Sequence, residues 1–299
     1  MLTMNKPNSS RRAILAGSLG AVTLFGLGIG SSSIAEAKTK SKKILKTIIN
    51  GPWRRPANKA RDLYRNPYKS LKFWGLKPGD TIIEINPGAA GWWVEILAPY
   101  AHQTDGRYFA TMPVTDAPGQ SEASKEQALK TRAAFEEEIK DKTVYGKASV
   151  FEFGVSKLDA FPENTADFVL LARALHGWAL QEGATERNLK AFHKMLKPGG
   201  LLAVEQHRAA EGSDPKAGTG YLPESYVIAM AKAQGFKLID RSEINANPLD
   251  TRDHPFGVWT LPPVRRSSQK DKPDLTPEQR ARFDAIGESD RMTLRFQKM

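Results

Sequence analysis

Residues 80–100 read DTIIEINPGAAGWWVEILAPY. The run from Thr81 to Ile85 is β-branched and apolar and is closed by Asn86-Pro87-Gly88, which predicts a short buried strand entering a tight turn. From Trp92 to Tyr100 apolar residues recur at helical spacing, and Pro99 is expected to stop that helix. Between strand and helix, Gly88, Ala89, Ala90 and Gly91 keep side chains out of the way, so backbone N–H groups can approach an anionic or strongly polar ligand. The same turn geometry also serves plain packing, and the rest of the chain has to decide between the two.

Further strands are expected at 106–112, 148–153, 166–172, 201–205, 236–244 and 289–298. Helices are expected at 122–140, 186–196 and 222–234. The 166–172 run is almost wholly apolar, as a parallel strand covered on both faces should be. Lys197-Pro198-Gly199-Gly200 reads as the turn from a helix into the next strand. In an open parallel sheet ligands bind beyond the carboxyl ends of the strands, so Arg173-Ala174-Leu175-His176-Gly177-Trp178 and Gln206-His207-Arg208 should face the same crevice as the cradle. Residues 245–288 form a long connection, expected to be a lid or a mobile segment.

With 299 residues there is room for one substantial α/β domain plus appendages. The formal charge of +11 reads first as a solvated basic surface, and no motif for nucleic acid accompanies it. The absence of cysteine excludes disulfides, thiolate nucleophiles and Cys-ligated metals. Residues 1–37 read as a twin-arginine export leader: Arg11-Arg12, an apolar glycine-rich stretch, then Ala35-Glu36-Ala37, with cleavage expected after Ala37 and a periplasmic or otherwise exported product. An uncleaved membrane anchor is the competing reading. Removing 1–37 takes three of the 44 basic and one of the 33 acidic residues, so the remainder stays basic. Residues 38–76 are expected to form a flexible lysine-rich lead and a helical cover, and 77–299 the main domain; the basic lead leaves room for weak contact with an anionic membrane surface.

Glu84 at the strand end with Pro87-Gly88 and the small-residue run resembles motif I of class I S-adenosylmethionine-dependent methyltransferases, although Asn86 and Ala90 stand where glycines are usual. Most of the chain from Ala60 onward resembles a bacterial family of exported class I methyltransferases. The segments that carry this are Arg61-Asp62-Leu63-Tyr64-Arg65-Asn66-Pro67, Phe73-Trp74-Gly75-Leu76-Lys77-Pro78-Gly79, Gly91-Trp92-Trp93, Leu175-His176, Leu196-Lys197-Pro198-Gly199-Gly200, Gly235-Phe236 and Ser289-Asp290-Arg291-Met292-Thr293-Leu294. The resemblance implies a Rossmann-like α/β fold with seven strands in the order 3-2-1-4-5-7-6, strand 7 antiparallel, and S-adenosylmethionine as cofactor. It implies a cofactor site of Glu84, Asn86, Pro87, Gly88, Ala89, Ala90, Gly91, Thr111, Gly154 and Arg173, under a cover including Tyr64, Tyr68, Phe73 and Trp74. An acid that would grip the ribose hydroxyls is missing after strand 2, where the nearest is Asp116.

Methyl transfer is an in-line displacement at a sulfonium, and a protonated acceptor must lose its proton. Histidine suits that task, so His176 is the first candidate base and His207 the second, with Trp178, Tyr64 and His254 expected in the acceptor pocket. Each His alone reads first as a structural hydrogen-bonding residue; as a pair at the ends of neighbouring strands the structural and catalytic readings balance. Asp253-His254 has no further ligand at a useful spacing, so no metal is expected. The expectation is methyl transfer to a small-molecule acceptor. Its alternatives are a non-catalytic exported binding protein on the same fold and, ranked last, a nicotinamide-dependent oxidoreductase. If Arg11 and Arg12 direct export, changing both to Lys should hold the precursor in the cytoplasm on cell fractionation; normal export of that variant would refute the twin-arginine reading.

Overall fold

The computed structural model describes residues 29–88 and 91–299. Arg11, Arg12, Ala89 and Ala90 lie outside the described residues. The chain divides into two units, 1–38 and 39–299, and every element after α1 lies in the second. A first helix, α1 (Ile29–Ile49), is followed by three short helices, α2 (Pro56–Lys59), α3 (Asp62–Arg65) and α4 (Pro67–Trp74). The Lys38–Lys46 segment is therefore helix rather than a flexible lead. Apolar residues at i, i+1, i+4 and i+5, from Ile44 to Ile49, give it a face, and Leu45 and Ile48 are buried in the core. Among the described residues no helix is long and apolar enough to cross a membrane.

β1 (Thr81–Ile85) leads through the turn to α5 (Val94–Gln103), then β2 (Arg107–Met112), α6 (Glu122–Glu138), α7 (Lys142–Tyr145) and β3 (Ser149–Glu152). The second half runs β4 (Ala166–Ala172), α8 (Leu175–Ala179), α9 (Ala184–Met195), β5 (Leu196–His207), α10 (Glu224–Ala233) and β6 (Phe236–Ser242). It closes with α11 (Pro277–Ile286) and β7 (Arg291–Lys298). The seven strands form one sheet in the order β3-β2-β1-β4-β5-β7-β6. β7 is antiparallel to both β5 and β6, and β3, β2, β1, β4 and β5 pair in parallel. This is the class I methyltransferase order, with the expected odd strand.

Alternation along β1 divides the core. Ile82 packs on the face covered by α1, α4 and α5, and Ile83 and Ile85 pack on the face covered by α9 and α10. The helix after β1 does not stop at Pro99 but continues to Gln103. Proline removes the bond that would reach the carbonyl four residues back, that of Glu95. The indole N–H of Trp53 donates to this carbonyl at 2.9 Å, so the vacated acceptor is satisfied from outside the helix. Lys197-Pro198-Gly199-Gly200 is likewise not a turn before the strand. It is an irregular stretch inside β5, whose partner in β4 jumps from Ala166 to Phe168 across it.

α5 is buried on all sides, and its Glu95 is wholly enclosed. That carboxylate accepts from Arg55 Nε at 2.7 Å and Asn58 Nδ2 at 2.8 Å and lies 3.5 Å from Arg54 Nε. Removing one partner of a buried ion group leaves charge uncompensated, so Glu95→Ala should cost about 3–5 kcal/mol of unfolding free energy. Glu126→Ala, which breaks an exposed pair with Lys130, should cost under about 1 kcal/mol. Equal urea-denaturation midpoints for the two variants would contradict this account.

Candidate active site

β1 and β4 end at residues with left-handed backbone, Asn86 at φ 48° and Arg173 at φ 65°. Asparagine tolerates this region, whereas for Arg173 it is a strained choice costing roughly 1–3 kcal/mol. The Arg173 N–H donates to the Glu205 carbonyl of β5 at 2.8 Å, which holds the bend. Both residues sit at the carboxyl edge of the sheet, where two cavities meet at Asn86.

The smaller cavity, about 320 Å³, lies beyond β1, β2 and β3. Pro87, Met112, Pro113, Val114, Phe135 and Phe153 give it apolar walls, and Asn86, Thr111, Gln120 and Thr131 supply its polar atoms. The Asn86 N–H donates to Thr111 Oγ1 at 2.9 Å, tying the turn to β2. A Cβ added to Gly88 would meet nothing within 4 Å, so the turn is open there. A flat purine with a few hydrogen-bonding edges suits such a slot. Among the described residues no carboxylate lines it. Asp116 is turned to Ser156 Oγ at 2.7 Å and Lys157 Nζ at 3.2 Å. The adenosyl group of S-adenosylmethionine thus fits in shape and polarity, without the customary acidic grip on its ribose.

Three of the expected cofactor residues are used differently. A Cβ on Gly91 would press on Val94 at 3.0 Å and Arg55 at 3.3 Å, so its face is turned to packing rather than to either cavity. Gly154 stands where a Cβ would lie 3.0 Å from both Val114 methyls; it lets the wall close and does not line the slot. Glu84 is fully buried in the sheet and accepts from Tyr108 Oη at 2.6 Å. Burial pushes its carboxyl up to about 7, against the lowering effects of that hydrogen bond and of Arg173.

The larger cavity, about 450 Å³, lies beyond β4 and β5. Arg173, His176 and Trp178 enter it from the β4 end, His207 from the end of β5 and Arg291 from the start of β7, where it is paired in register with His207. The opposite wall is the long connection. A short 3₁₀ turn, Gly257–Thr260, presents Val258 and Trp259, followed by Leu261 and Pro262. The connection is a fastened lid rather than a mobile segment. Asp250 accepts from Tyr221 Oη, the Asp290 N–H and the Arg252 N–H, and Asn247 Nδ2 donates to the carbonyls of Ile286 and Glu288.

Two expected pocket residues are elsewhere. His254 is buried in the lid's own anchor, its Nε2 2.7 Å from Asp250 Oδ1. Tyr64 packs over Gly287 and lines a separate recess with Asn66 and Asn245. The aromatic cover is core instead: Trp74 is fully buried 5.5 Å from Trp93, and Tyr68 and Phe73 pack on the same cluster. Missed in the sequence were Arg291, Ser289 and the lid residues Val258 and Trp259. Four consecutive polar residues, Glu288-Ser289-Asp290-Arg291, entering an alternating apolar strand were the available signal, and all four are buried.

The two histidine rings lie 5.8 Å apart. Gln206 Nε2 donates to the Gly220 carbonyl at 3.1 Å, which orients the amide so that its N–H also faces His176 Nδ1 at 3.4 Å. This network assigns the proton of neutral His176 to Nε2. His207 Nδ1 lies 2.5 Å from Ser289 Oγ; with Nδ1 as donor, its Nε2 keeps a free lone pair. Burial lowers the pKa of both rings, His207 far more than His176, with Arg291, His176 and Arg173 pressing further on the charged form of His207. Both are therefore neutral at physiological pH.

Residues 121–204 match a family model described as a methyltransferase domain, from the start of α6 into β5. Among solved structures the chain is similar to a SAM dependent methyltransferase from Aquifex aeolicus, at 20% identity over 68% of this chain and 93% of that chain, TM-score 0.41. It is also similar to the [4+2]-cyclase SpnF, at 13% identity over 88% and 95%, TM-score 0.51. A third is a geranyl diphosphate C-methyltransferase from Streptomyces coelicolor A3(2), at 11% identity over 86% and 88%, TM-score 0.49. No curated protein is significantly similar in sequence. The strand order is that of the class I methyltransferase fold, and residues 121–204 carry the signature of a methyltransferase domain.

Glu84 also makes the fold sensitive to pH. Its folded value, about 7, is raised above the ordinary 4.5, so its contribution is complete below 4.5 and is lost as pH rises through about 7. Glu84→Gln keeps an acceptor for Tyr108 and should lose less thermal stability than the parent between about pH 5 and about pH 8. Parallel stability curves across that range would show that the carboxyl ionises freely in the folded protein.

Proposed function

We propose that this chain transfers a methyl group from S-adenosylmethionine to a small acceptor, with the cofactor's adenosyl group in the slot at Asn86, Pro87, Gly88 and Thr111 and the acceptor in the cavity beyond β4 and β5. The carrying observation is the meeting of the two cavities at Asn86. When bound, the cofactor supplies an electrophilic methyl on a sulfonium, and the protein must align a nucleophile with it. Arg173, His176 and His207 line the side from which that nucleophile approaches. His207, oriented by Ser289, accepts the proton an acceptor O–H or N–H releases as the new bond to carbon forms, and the sulfonium leaves as a neutral thioether. His176 presents its Nε2–H and holds the acceptor by donating to it. The leader expected at residues 1–37 extends this to an exported enzyme, loaded with cofactor before export.

A second reading is a protein that keeps the fold without methyl transfer. The slot's lack of a carboxylate favours it, and SpnF, named as a cyclase, illustrates that the fold hosts other chemistry. Calorimetric titration with S-adenosylmethionine and S-adenosylhomocysteine separates the two. The proposal expects micromolar binding of both, abolished by Thr131→Trp, which fills the slot from α6. It also expects His207→Gln to lower the transfer rate by about 10²-fold or more while leaving S-adenosylhomocysteine affinity unchanged. Failure of either cofactor form to bind folded, ligand-free protein would eliminate methyl transfer.

A further inference from the structure

The floor of the larger cavity belongs to a buried group of charges that does not balance. Arg61 and Arg65 donate through Nε to the two oxygens of Glu288, the Arg61 bond at 2.5 Å and the Arg65 bond at 2.9 Å, and Arg291 Nη2 donates to the same carboxylate. Arg291 Nη1 lies 3.2 Å from Glu205 Oε1. Arg173 is close enough to Arg291, Glu205, Arg61 and Glu288 for each to act on its charge. Four guanidinium groups thus face two carboxylates, with Asp250 acting on Arg291 as a third. Glu84, the next carboxyl near Arg173, is held close to half-neutral at pH 7 by its burial and already accepts from Tyr108.

The excess positive charge coincides with unused donors. Both terminal nitrogens of Arg65, Nη2 of Arg61, Nε of Arg173 and Nε of Arg291 are buried with no hydrogen-bond partner. Arg65 and Arg291 have side chains 0% and 1% exposed. Buried charge without a counter-ion is strongly destabilising, and a guanidinium presents donors in a fork that matches a carboxylate. Two of these arginines, Arg173 and Arg291, line the cavity, whose remaining surface includes the indoles of Trp178 and Trp259 and the ring of Pro262. The neutral histidines beside them bring no competing negative charge.

We propose that the methyl acceptor carries, besides the O–H or N–H that is methylated, a carboxylate on a flat apolar body, with the carboxylate set against Arg173 and Arg291 and the body against Trp178 and Trp259. This rests on the reading of the larger cavity as the acceptor site. S-adenosylmethionine carries a carboxylate of its own, so the test must distinguish which of the two molecules the arginines receive.

Benzoate and its neutral analogue benzamide serve as probes, titrated calorimetrically into the full chain with and without saturating S-adenosylhomocysteine. Benzoate is expected to bind at least about tenfold more tightly than benzamide, with its affinity within about threefold whether or not S-adenosylhomocysteine is present. In Arg173→Gln the preference should fall below about threefold, and in Arg173→Lys, which keeps the charge and loses the fork, it should be intermediate. Equal affinity for the two probes, binding of neither, or an undiminished preference in both variants would overturn the proposal. Competition between benzoate and S-adenosylhomocysteine would overturn it too, assigning the arginines to the cofactor's carboxylate. A benzoate preference without any S-adenosylhomocysteine binding would leave the carboxylate site standing and remove the methyltransferase reading.

Discussion

The interaction on which the rest depends is the convergence of Arg61, Arg65 and Arg291 on one buried carboxylate, Glu288. It joins two stretches far apart in the chain: Arg61 and Arg65, at the start and end of α3, and the junction of the lid with β7 at Glu288 and Arg291. Taking such ions out of water costs several kcal/mol each, recovered only where geometry and further hydrogen bonds are good. Glu288 meets that condition with three donors, and those cations hold it well below the ordinary carboxylate range despite its burial. The consequence is architectural. Residues 61–65 belong with the sheet, because they supply two of the three cations that stabilise Glu288.

The same knot divides the crevice electrostatically. On the β1 and β2 side the walls are neutral and largely apolar, and on the β4, β5 and β7 side two guanidinium groups and two neutral imidazoles line the cavity. Coulomb interactions are strong where water is sparse, so the cationic side opposes any second cation in the crevice. A sulfonium is such a cation. An anion on the arginines removes that opposition, which couples occupancy of one side to occupancy of the other. The fastened lid limits how much the cavity can open to relieve the repulsion with water, since Asp250 ties it to Tyr221 and Asp290.

Much of the fold was legible because local pattern and burial agree in it. β1 and β4 occupy the expected residues, 81–85 and 166–172, since each is an unbroken apolar run bounded by turn residues. The misreadings came from distant partners. Pro99 reads as a stop until Trp53 is brought to the orphaned carbonyl, and a sequence does not show that approach. Tyr64 and His254 looked like pocket residues by type, yet Tyr64 is held against Gly287 and His254 against Asp250. Arg291 was read as part of a strand and of the family resemblance, not as a site residue. Its place beside His207 follows from the antiparallel register of β5 and β7, which only the assembled sheet sets.

The two histidines also constrain the chemistry that the cavity can support. A general base works best when its proton affinity is near that of the group it serves, and burial keeps the affinity of His207 low, with Arg291, His176 and Arg173 lowering it further. Its lone pair is present across the neutral range, but it cannot draw a proton from a weakly acidic alcohol or amine with much driving force. The arginines act in the opposite sense on the acceptor: they stabilise negative charge there and so acidify any O–H or N–H nearby. An acceptor already bearing a carboxylate, with its reacting group close to those guanidinium groups, meets a base of this strength on favourable terms. Burial depresses His207 first and the guanidinium groups beside it add to that, so the same arginines that form the cationic floor deepen an effect that enclosure begins.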